Sequence, residues 1–174
     1  KGEQKSTKQY QCYYSVDGQL QKVETGAGTA PAKKRGIRGK IVANKVDNIT
    51  EYVEKAVALV KTYLPPEPAK LQQIYGAGNV AINILVPGEQ FKLGFPGYNL
   101  PGDLLSISIN KTSQMLMGVA VSTYIDDAKD VVSFNMTYKT LPDGTQYAAE
   151  TNLVASAKDV KIVLVNSGYT KGKQ

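Results

Sequence analysis

The chain has 174 residues, 42% of them hydrophobic, with 21 Lys/Arg against 15 Asp/Glu, one Cys and no His. That length suits one well-buried core rather than two, and no apolar run approaches the roughly 18 residues of a membrane span. The lone Cys12 excludes an internal disulfide framework, and the missing imidazole removes the commonest general base and metal ligand.

The excess charge is local, because residues 1–40 hold nine Lys/Arg and three acids while the remainder balances. Residues 1–8 are polar without periodicity and are expected to fray; the start at Lys1 without Met suggests a mature exported form or a trimmed one. Tyr10, Cys12, Tyr14 and Val16 then alternate with polar neighbours ahead of Asp17-Gly18, Leu20 and Val23, the pattern of a hairpin. That alternation puts Cys12 on the Tyr10/Tyr14 face, as a buried thiol. Residues 25–40, rich in Gly and basic side chains, read as an exposed loop.

Ile41–Val46 reads as a short strand or lead-in. Asn48 with Glu51 fits a capping box, and the following helix carries Ile49, Val53, Ala56, Val57, Val60, Tyr63 and Leu64 on one stripe until Pro65-Pro66 stops it. Pro68 opens a short second helix presenting Leu71, Ile74 and Tyr75. From Asn79 the period changes to two. Val80–Ile84, Phe91–Phe95, Leu104–Ile109, Met115–Tyr124, Val131–Thr140, Tyr147–Ala157 and Val160–Asn166 are predicted strands, joined by connections short enough to demand an antiparallel meander. The expected fold is a single α+β domain over residues 1–174. In it a curved antiparallel β-sheet of about seven strands or more, a half-barrel, wraps over one long amphipathic helix plus a short second helix.

Chemical motifs are sparse. Lys33, Lys34, Arg35, Arg38 and Lys40 form a basic cluster suited to an anionic surface or another subunit; it lacks the interleaved aromatics of a single-strand binder, so nucleic acid is not the expected partner. Gly26-Ala27-Gly28 and Gly76-Ala77-Gly78 lack the rest of a dinucleotide or phosphate loop. Asp126, Asp127 and Asp130 would begin a Ca²⁺ site, but without the EF-hand spacing they read as a turn, and no metal or cofactor is expected. No nucleophile has a local activator, so the protein is not expected to be an enzyme. The 11 Tyr invite a groove lined by rings with polar tips, against the plainer reading that Tyr suits half-buried strands.

Met136 to Tyr169, with Leu141-Pro142-Asp143-Gly144-Thr145-Gln146-Tyr147 and the closing Lys161-Ile162-Val163-Leu164-Val165, resembles the last strands of the periplasmic lipoprotein-carrier superfamily. The whole chain also resembles a group of uncharacterised exported bacterial proteins. The first resemblance implies a half-barrel enclosing helices, with acyl chains held between sheet and helix, and export to the periplasm or envelope. The expected function is thus a non-catalytic carrier of an apolar ligand, its hollow lined by Leu105, Ile107, Phe134, Met136, Val53 and Val57. The alternative is a structural or assembly protein of the envelope. A continuous apolar cavity favours the first, and a solid core the second.

Overall fold

The computed structural model describes residues 6–14, 20–26 and 37–169. The chain divides into two compact units, Lys1–Lys45 and Val46–Gln174. In the first, β1 (Tyr10–Tyr14) and β2 (Leu20–Glu24) pair antiparallel with Cys12 opposite Lys22, the hairpin the alternation predicts. Its Asp17-Gly18 turn lies outside the described residues. Cys12 is exposed, as are Tyr10, Tyr13 and Val23, which corrects the expectation of a buried thiol. A two-stranded ribbon is too small to supply its own second layer, so alternation along it does not bring burial.

Helix α1 runs Ile37–Lys61, starting well before the Asn48 cap. Ile37–Lys40 is therefore helical rather than loop, and Ile41–Val46 is neither strand nor lead-in. The reason lies in helix cooperativity: extending a packed helix adds a hydrogen bond per residue fixed, which outweighs the roughly 1 kcal/mol penalty of Gly39. A capping pattern inside a helix already under way is simply passed through.

In the second unit α1 ends near Pro65-Pro66, as predicted, and α2 spans Pro68–Gly76 with its Pro in the first turn. Leu71 and Ile74 of α2 pack on the core, while Tyr75 is exposed. The sheet contains β3 (Ala81–Val86), β4 (Gln90–Pro96), β5 (Leu104–Asn110), β6 (Met115–Tyr124), β7 (Val131–Thr140), β8 (Gln146–Ala155) and β9 (Val160–Val165). They pair antiparallel in chain order with β3 and β9 at the edges, so the sheet is not closed and is the predicted meander. A single 3₁₀ turn, Ser156–Lys158, replaces the end of the predicted eighth strand.

The register explains the core. Phe95, Leu105, Val121, Phe134, Leu153 and Ile162 stand opposite one another across β4 to β9, forming one apolar row on one face. Tyr52, Ala56, Val60 and Tyr63 of α1 belong to the same buried cluster. The opposite face carries Ser122, Ser133, Asn135 and Asn152, which is why the strand pattern is so regular. The helix stripe, by contrast, is rotated from its expected position: Ile49 and Val57 are exposed and Tyr52 is buried. Tyr52 can be buried because its hydroxyl finds a partner, donating to Asp130 Oδ1.

Candidate functional site

Beside the closed row lies a second one, Ile107, Val119 and Met136, followed by Leu116 and Tyr138. A register shift at Ser108/Ile109 lets Leu116 and Val119 face the same side although three residues apart. Because Pro65-Pro66 ends α1 here, the helix does not roof these residues. Leu64, Pro65, Pro66 and Leu71 form a wall instead, and between wall and floor is a partly open cleft of about 550 Å³. Its lining is aliphatic apart from the Tyr138 ring, with no charged side chain among the described residues. Volume and polarity fall in the range of small-molecule sites.

The wall is held from behind by polar groups. Asp103 is buried and its carboxylate accepts from Tyr98 N (2.6 Å), Asn99 N (2.9 Å), Leu100 N (2.7 Å) and the Tyr63 hydroxyl (2.6 Å). Tyr63 also contacts Thr123 Oγ1 at 2.8 Å. The loop so fixed grips both helices. Asn99 Nδ2 donates to the Thr62 carbonyl (3.2 Å), Lys70 Nζ donates to Asn99 Oδ1 (2.6 Å) while lying 4.6 Å from the Tyr98 ring centre, and Glu67 N donates to the Tyr98 hydroxyl (2.8 Å). No buried side-chain N or O among the described residues lacks a partner. Burial, reinforced by Asp103, pushes the Tyr63 hydroxyl up to about 12. Burial, reinforced by Asp130, does the same for Tyr52.

Of the six expected ligand residues, Ile107 and Met136 line the cleft. Leu105 and Phe134 sit one row along in the closed core, and Val53 (half-buried) and Val57 (37% exposed) lie on α1 away from it. Tyr138 is the one tyrosine of the cleft; Tyr63 and Tyr98 are core, their rings 5.6 Å apart. Leu116, Val119 and the wall escaped sequence reasoning, because a bulge and the stopping point of a helix have no periodic signature.

Lys33, Lys34 and Arg35 lie outside the described residues, and Arg38 and Lys40 fall within α1. The acidic segment is a turn: Asp127 Oδ1 accepts from Lys129 N at 2.8 Å, and Asp130 takes the Tyr52 hydroxyl. Among the described residues no group of three or more Cys, Asp or Glu is arranged to hold a metal, and no helix is long and apolar enough to cross a membrane. Comparison with protein-family models, curated proteins and solved structures finds no match for this chain.

Proposed function

We propose that this protein is a non-catalytic binding or carrier module for an apolar ligand of the acyl-chain class, held in the cleft between the α1–α2 elbow and the sheet. The observation that carries the reading is the uncharged lining of a cleft of about 550 Å³ beside a buried apolar core. Water in a partly open cleft of that size wets aliphatic side chains, and an apolar guest removes that surface from water. A half-barrel curvature of the sheet belongs to the same proposal, supported by register shifts at Ser108/Ile109 and Thr137/Tyr138, since bulges bend strands and increase twist. Placement in the bacterial envelope rests on the resemblance of residues 136–169 to periplasmic carriers.

Isothermal titration with dodecanoate tests the reading. Saturable binding with a negative heat-capacity change is expected, and Met136→Lys should weaken it by at least about tenfold, because a charge would have to be desolvated in the cleft. Native mass spectrometry of protein from its source should show a retained apolar adduct. No binding in either measurement would leave the assembly reading, which the exposed Val163, Leu164 and Val165 of edge strand β9 favour.

A further inference from the structure

The cleft floor does not stop at β5. Ile107 stands opposite Leu93, which stands opposite Ile82, and Ile109 opposite Phe91, which stands opposite Ile84. Directly opposed residues of an antiparallel sheet share a face, so Ile82 and Ile84 lie on the same side as the cleft. Phe91, Leu93 and Ile109 are half-buried, whereas Ile82 is 59% and Ile84 64% exposed. From β7 to β3 there are four strand spacings, roughly 19 Å at about 4.8 Å each. An apolar strip of that reach, walled at the cleft end by Leu64, Pro65, Pro66 and Leu71 and bare at β3, has no charged residue on β3 to interrupt it.

We infer that the ligand is a long unbranched aliphatic chain lying across the strands, one end in the cleft at Tyr138 and the other on a distal subsite formed by Ile82 and Ile84. This deepens the cleft reading and rests on it. A second copy of the chain added along β3 would pair with the flank of that strand and leave Phe91 and Ile109 as they are. A chain laid across the face covers the whole strip, including the half-buried residues between cleft and edge. With no charged group in the lining among the described residues, the site reads the length of the chain and not its head group.

The test is a series of linear carboxylates and alcohols from hexanoate and hexanol to hexadecanoate and hexadecanol, below their aggregation limits. Affinity should rise by up to about fourfold per methylene and keep rising beyond decanoate. The Ile82→Ser/Ile84→Ser double variant should bind hexadecanoate roughly tenfold more weakly while leaving hexanoate unchanged. Val163→Ser, at an apolar site 48% exposed on the other face of the sheet, should change neither. Carboxylate and alcohol of equal length should agree within roughly fivefold, the most an exposed ion pair provides. A plateau at decanoate, with the double variant unaltered, would overturn the distal subsite and leave the cleft reading standing. So would a wild-type dimer that the double variant dissolves without change in hexadecanoate affinity. Failure of every chain to bind would remove both.

Discussion

Asp103 concentrates more hydrogen bonding than any other side chain described above, and its four donors are all aimed at one buried carboxylate. Truncation by Asp103→Ala leaves three backbone N–H groups and the Tyr63 hydroxyl without that acceptor, so stability should fall by about 3 kcal/mol or more, read as a lower urea midpoint. Tyr63→Phe removes one donor and keeps the other three, and should cost only about 1–2 kcal/mol. The same phenols set an alkaline limit. With its pKa raised to about 12, Tyr63, like Tyr52, holds its proton more tightly folded than in an unfolded chain, where tyrosine titrates near 10. The stabilisation is fully present below about pH 10 and is lost as the pH rises through about 12. Thermal unfolding midpoints should therefore drop across that window, and less so in the Tyr52→Phe/Tyr63→Phe variant.

At the scale of elements, the strands were legible and the helix face only in part, with Ala56, Val60 and Tyr63 buried as expected and Ile49 and Val57 exposed. Strands β4, β5 and β7 alternate because one face meets water, a constraint that writes itself into residue pairs such as Phe134-Asn135. The helix stripe depends on what its side chains meet: Tyr52 lies off the expected stripe yet is buried, with Asp130 accepting from its hydroxyl, and Val57 reads as core yet is exposed. Two valines three residues apart thus make a sharp test. Val60→Ala should cost about 2 kcal/mol, while Val57→Ala should stay within about 0.5 kcal/mol. A glycine tests the β6–β7 pair: a Cβ at Gly118 would lie 2.8 Å from the Met136 carbonyl oxygen, inside contact distance of backbone that cannot move aside. Gly118→Ala should destabilise by about 1–3 kcal/mol, measured by chemical denaturation.

Over the Val46–Gln174 unit as a whole, one face of one sheet meets two surroundings in adjacent rows, a closed core and an open cleft. Leu105 and Phe134 lie where α1 covers the sheet; Ile107 and Met136 lie just past the point where Pro65-Pro66 ends that cover. Sequence pattern found the face and could not find this boundary, since all four residues alternate identically and only the length of the helix tells them apart. The boundary makes a prediction that no general loss of stability would imitate. Phe134→Ala empties a closed core and should cost about 3–5 kcal/mol with ligand binding lost only through unfolding. Met136→Gln, near in shape and placed on a partly open floor, should shift stability by less than about 1 kcal/mol, because its amide can reach the solvent in the cleft. It should nonetheless weaken dodecanoate, since the bound chain would desolvate that amide without offering it a partner. Ligand at about a hundred times its dissociation constant should stabilise the wild type by about 2.7 kcal/mol, and at the same concentration the Gln variant should gain visibly less. If instead Phe134→Ala and Met136→Gln lose stability and binding in the same proportion, floor and core are one packed layer and the cleft is no site.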